Sequence, residues 1–170
     1  MLYLLDASVL ITANNSYYPI DRVPEYWAWL QHMGDTGHVK IPVENFEEIT
    51  KGSRDVERDL LFAWLQDELN RDAICLNEDV DSTLVQKAVS LGYAYDLTDD
   101  EVEQLGRDPF LLAYALASPD RRWVVTAEGS KPTKTRQNRH IPDVCKTLGI
   151  NCCDPFIMIR ALGFRTSWKK

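Results

Sequence analysis

The sequence predicts an α/β fold in which a parallel sheet carries helices on both faces. Three observations lead there. Short, mostly apolar runs stand at 2–5, 39–41, 74–76, 123–126 and 150–152, and the one at 2–5 is continuous rather than alternating, as a strand covered on both sides is. Longer stretches between them repeat their apolar residues every three or four positions, the mark of helices with one buried face. Finally, the strand–helix–helix–strand order is what connects parallel neighbours through crossovers.

In order, residues 2–5 form the first strand, which Asp6 ends, and Ser8 opens a helical patch at Val9, Leu10 and Ile11. Residues 14–24 read as loop, being rich in Asn, Ser, Tyr and Pro. Pro24 and Glu25 start a helix to about Met33, which Gly34 stops. After the second strand, Pro42 begins a helix with Val43, Phe46 and Ile49 on one face, ending at Gly52. Residues 55–70 predict one amphipathic helix burying Leu60, Leu61, Trp64, Leu65 and Leu69. A third strand at 74–76 precedes a helix over 79–91. Asp108 as N-cap and Pro109 after it start the apolar helix FLLAYALA. The fourth strand leads into a polar loop to about His140, then a helix at 142–148, a strand at 150–152 and a last helix at 154–162.

The 170 residues suit one domain over 1–170, and 45% hydrophobic with 26% charged content is ordinary for a globular chain. No apolar run approaches the roughly 20 residues that span a bilayer. The opening MLYLLDASVLI lacks a basic n-region and is broken by Asp6, so it does not read as a signal peptide. The expectation is a soluble cytoplasmic protein with no membrane association. Cys75, Cys145, Cys152 and Cys153 show no C-x-x-C spacing and are expected to be structural thiols, not zinc ligands. The net charge of −7 is unevenly spread. Residues 1–120 hold 8 Lys/Arg against 23 Asp/Glu, a net of −15, and residues 121–170 hold 11 against 3, a net of +8. Either a basic tail is simply solvated, or a phosphate-facing surface lies beside an acidic pocket.

Ligands of open α/β sheets sit beyond the carboxyl ends of the strands, so acids just after apolar runs carry the most information. Asp6 follows the first strand and Glu128 the fourth; Glu48 lies in the helix after the second, and Asp108 opens an apolar helix. Each alone has an ordinary alternative as a cap or a solvated acid. Gathered together, four carboxylates repel unless a cation neutralises them, and all-oxygen donors suit Mg²⁺ or Mn²⁺. Such an ion can activate water against a phosphodiester.

The pieces LLDASVLI at 4–11, EITKG at 48–52, DPFLLAYALA at 108–117 and VVTAE at 124–128 resemble, in order and separation, the PIN-domain family. The resemblance implies a three-layer α/β/α fold and a Mg²⁺- or Mn²⁺-dependent endoribonuclease, the toxin of a toxin–antitoxin pair. Products would carry a 5′-phosphate and a 3′-hydroxyl. It also implies an antitoxin partner and self-association as a homodimer. Carried over, Asp6, Glu48, Asp108 and Glu128 form the catalytic acidic cluster. Asp6, Asp108 and Glu128 bind the metal, while Ser8 and Thr126 support it. Two departures stand out. Glu128 replaces the usual Asp, which keeps open a catalytically impaired RNA- or protein-binding module, and Glu47 is the reserve for Glu48.

After the last acid, SKPTKTRQNRH supplies Lys131, Lys134, Arg136 and Arg139, and Arg122 precedes the strand. These are the candidate RNA-binding residues, the arginines being favoured for planar contacts to phosphate. Of the aromatics Tyr17, Tyr18, Tyr26, Trp27 and Trp29, core or partner contacts are expected over base stacking, with Trp27 and Trp29 facing opposite ways. Two other chemistries fit less well. A phosphatase using Asp6 as nucleophile needs a second Asp where Ser8 stands, and a phosphoacceptor domain carries its key Asp on a later strand.

Overall fold

The computed structural model describes residues 1–52 and 59–169. Its strands are β1 (Leu2–Leu5), β2 (Val39–Pro42), β3 (Cys75–Leu76), β4 (Arg122–Val125) and β5 (Asn151–Cys153). They stand in the order β3-β2-β1-β4-β5, and every pairing is parallel. The chain builds outward from β1 to β3, then crosses back to lay β4 and β5 on the other side of β1. Strand order therefore reverses between β1 and β4, and a crevice opens beyond their carboxyl ends.

Alternate residues of each strand face opposite sides, which divides the apolar interior in two. Tyr3, Leu5, Val39, Ile41 and Val125 join one core. Covering it are α1 (Ala7–Thr12), α2 (Pro24–Asp35), α3 (Val43–Gly52), α4 (Leu60–Gln66), α5 (Glu68–Ile74) and α10 (Pro155–Ala161), through residues such as Leu10, Leu30, Phe46, Leu65, Ile74 and Met158. Leu4 and Val124 join the other. That face is covered by α8 (Asp108–Leu116), α9 (Ile141–Leu148) and the turns that follow α6 (Ser82–Lys87) and α7 (Asp99–Gln104), through residues including Leu112, Val144, Ala88 and Leu105. The result is the three-layer α/β/α architecture.

Several elements depart from the sequence expectation for local reasons. The helix begun by α1 continues as a π-turn over Ala13–Tyr17, where a loop was expected, and Tyr18 N donates to Ala13 O at 2.7 Å. The predicted helix over 55–70 is divided at Asp67, which leaves the helical backbone and caps α5 by accepting from Leu69 N and Asn70 N. The break turns Leu69 outward, 72% exposed instead of buried. Residues 55–58 of that prediction lie outside the described residues. The unexpected helix α7 begins at a capping box, Thr98 and Glu101 each bonding the other's backbone N–H.

Trp27 and Trp29 both point inward, 2% and 1% exposed, because α2 is packed on two sides. Trp27 meets Trp64 of α4 at 5.0 Å, and Trp29 meets Phe164 after α10 at 5.0 Å. Gly34 does not end α2. It lies within the helix, where a Cβ would stand 2.5 Å from the Ala73 carbonyl oxygen, so only glycine lets α2 approach α5 so closely. Ala at an exposed helical site would gain up to about 1 kcal/mol over Gly, but overpacking typically costs about 1–3 kcal/mol. The clash is with rigid backbone, so Gly34→Ala is expected to lower unfolding free energy in urea, whereas a gain would mean α2 and α5 separate easily.

Candidate active site

Asp6 emerges from β1 at the crevice, and its side chain is 6% exposed. Ser8 Oγ in the first turn of α1 donates to Asp6 Oδ2, as does Thr126 Oγ1 after β4, at 2.9 Å. Each hydroxyl accepts in turn: Ala127 N donates to Ser8 Oγ at 3.2 Å, and Glu128 N to Thr126 Oγ1 at 3.1 Å. Because those N–H groups can only donate, the hydroxyl protons are directed at the carboxylate. Both fall on Oδ2, leaving Oδ1 out of this network.

Asp108 lies within the first turn of α8, not at its cap, and makes no capping bond. It instead accepts from the hydroxyl of Tyr93, at 3.2 Å. Burial pushes its pKa up to about 8, and the charges of Asp6, Glu128 and Glu48 push the same way, against the Tyr93 bond. Glu48 is also raised, by burial first and Asp6 second, with Arg107 and Lys51 opposing. Its Oε1 approaches Gly106, within 3.9 Å of where a Cβ would stand, while Glu47 forms an exposed pair with Lys51 at 3.7 Å. Glu48 therefore faces the other acids and Glu47 does not.

Glu128 is tethered to the backbone of a neighbouring helix. Its Oε2 accepts from Ile141 N at 2.9 Å, capping the start of α9, and His140 Nδ1 stands 3.8 Å from the same oxygen. The four acids thus meet from β1, α3, α8 and the loop after β4, close enough to perturb one another. Among the described residues, no three His, Cys, Asp or Glu side chains form a ready metal-ligand group. The acids share a field without sharing ligand distances, a spacing that their repulsion favours. As a donor set, carboxylates crowded until one holds its proton near neutrality suit a hard divalent cation. Asn45, one turn before Glu48, adds a fully buried amide with neither atom partnered.

The candidate RNA contacts divide. Arg136 is spent internally: its guanidinium pairs with both carboxylate oxygens of Glu101, at 2.8 and 2.7 Å, and with Asp96 Oδ1 at 2.8 Å. It holds Glu101 down to about 2, and these bonds support its left-handed backbone, φ 54°. Arg139 donates to the carbonyls of Gly92 and Asp143 and to Thr147 Oγ1. Arg122 is bound to Glu78 and to Tyr114 O. Lys131 and Lys134 keep exposed side chains. The favoured arginines hold the loop, and the lysines are left to face solvent.

Tyr93, Arg107 and Asn45 were missed from the sequence. A Tyr just after a glycine-broken helix and an Arg before Asp-Pro carry no local signal, but a polar residue within the Val43–Phe46–Ile49 stripe was visible. All four cysteines are free thiols.

A carboxyl whose pKa rises on folding binds its proton more tightly in the folded state, so its contribution is present at low pH and lost as pH rises. In chelator, stability is expected to fall by a few kcal/mol between about pH 4 and 8. Asp108→Asn should flatten that slope in thermal melts. An unchanged slope would remove Asp108 as its source.

No match is found among curated proteins. The family model described as a domain of unknown function, DUF4411, matches residues 3–166, and the chain belongs to that family.

Proposed function

We propose that this protein is a PIN-type endoribonuclease that hydrolyses RNA phosphodiester bonds with Mg²⁺ or Mn²⁺, as the cytoplasmic toxin of a toxin–antitoxin pair. The observation that carries this reading is the placement of Asp6 and Glu128, joined through the Thr126 hydroxyl, with Asp108 and Glu48 beside them where strand order reverses. Asp6, Asp108 and Glu128 would hold the cation, with Glu48 completing the acidic wall. A bound ion of this kind activates water at neutral pH and offsets charge on phosphoryl oxygens. The protein's own part is orientation. Ser8 and Thr126 fix Asp6 and leave Oδ1 available, and Tyr93 fixes one oxygen of Asp108. Lys131 and Lys134 offer phosphate contacts that position RNA without reading sequence.

A second reading, a binding module that does not cut, draws on Glu128. Its carboxylate already caps α9 through one oxygen, which leaves only the other for a metal. The toxin role draws on the family resemblance. If it is right, expression of the chain arrests growth, and a small protein encoded immediately upstream relieves the arrest.

The decisive assay incubates purified protein with labelled RNA and DNA in Mg²⁺, Mn²⁺ or chelator. Metal-dependent RNA cleavage is expected, with Asp6→Ala and Asp108→Asn each losing more than about 100-fold. Thr126→Val, which removes the hydroxyl that bonds Asp6 and accepts from Glu128 N, should lose about 10–100-fold. Cleavage that survives both acid substitutions belongs to a contaminant or another site, and RNA binding without cleavage favours the second reading.

A further inference from the structure

A cavity of about 320 Å³ adjoins Glu128 on its α1 and α10 side. Tyr17, Tyr26, Glu128, Asp154, Phe156 and Ile159 are among the residues lining it. Tyr17 and Phe156 are 55% and 38% exposed, and their rings meet edge to face at 4.9 Å. They come from opposite ends of the sequence, brought together by the π-turn after α1 and the first turn of α10. Deeper in, Tyr26 is fully buried, stacked on Tyr18 at 4.3 Å, and its hydroxyl has no hydrogen-bond partner. Such a hydroxyl costs about 1–3 kcal/mol.

These features select an occupant. The volume is at the small end for ligand pockets, about 300–1,000 Å³, enough for a flat ring system and not for a helix. Exposed aromatic rings offer stacking surface. Glu128 and Asp154 each have one carboxylate oxygen engaged, by Ile141 N and Ile157 N, and one left over. Two such acceptors repel a phosphate and favour a neutral group that donates. We propose that the cavity is a nucleobase subsite, holding an unstacked base that bears an exocyclic amino group (adenine, cytosine or guanine) by that group beside Glu128 and Asp154. As a part of RNA recognition this rests on the nuclease reading, but base binding can be measured apart from it.

The test uses uncharged nucleosides with the full chain in chelator, following the methyl resonances of Val9, Ala13 and Ile159 by NMR. Adenosine and cytidine should shift them saturably, uridine more weakly, and ribose not at all. Tyr17→Ala and Phe156→Ala should each weaken adenosine binding by about ten-fold, as loss of one stacking partner does. Tyr26→Phe should also weaken it while leaving the melting temperature unchanged or higher, because the hydroxyl has no partner to lose. Equal shifts from ribose, or wild-type affinity in both alanine variants, would overturn the subsite. So would a change of oligomeric state in Tyr17→Ala without any adenosine binding, which would make the cavity a protein contact. Adenosine binding with no RNA cleavage under any metal supports the subsite and sinks the nuclease reading alone.

Discussion

Like charges resist being gathered, and this protein gathers four at the meeting of β1 and β4. Much of the site answers that constraint. Asp6 is buried at the strand end with two hydroxyls aimed at one oxygen, each oriented by a backbone N–H from the segment after β4. Asp108 is matched by a phenol, Glu48 by the nearby Arg107, and Glu128 by the amino end of a helix. No single partner neutralises the set. The repulsion is spread across both layers of helices and the central strands, so the site is as much a product of the fold as of its acids.

The parts of this arrangement that were legible in the sequence are those with local causes. A continuous apolar run followed by an acid places Asp6, and Asp-Pro before an apolar helix places Asp108 close to where it stands. The five strands lie within about a residue of their expected bounds, and β1 is the plainest because a strand buried on both faces leaves an unbroken apolar signature. What stayed hidden depends on partners far away in sequence. Arg136 is bound by Asp96 and Glu101, 40 and 35 residues off, and no local rule separates it from a free loop arginine. Trp27 and Trp29 are both buried because helical periodicity describes one covered face, and α2 has two.

Glu128 shows how one residue can answer to two demands. Its side chain lies near enough to raise Asp108, yet one oxygen is committed to the backbone of α9. The same carboxylate borders the aromatic cavity, so it joins the acidic crevice to the neighbouring apolar one.

The anchoring of the basic loop has a further meaning. A polar segment rich in Lys, Arg, Pro and Ser ordinarily keeps much conformational freedom, which a ligand must remove before it benefits from contact. Here Arg136 and Arg139 have removed much of it during folding, even holding one residue at positive φ. The loop meets any polyanion as a preorganised wall: fewer free cations, but little ordering entropy left to lose.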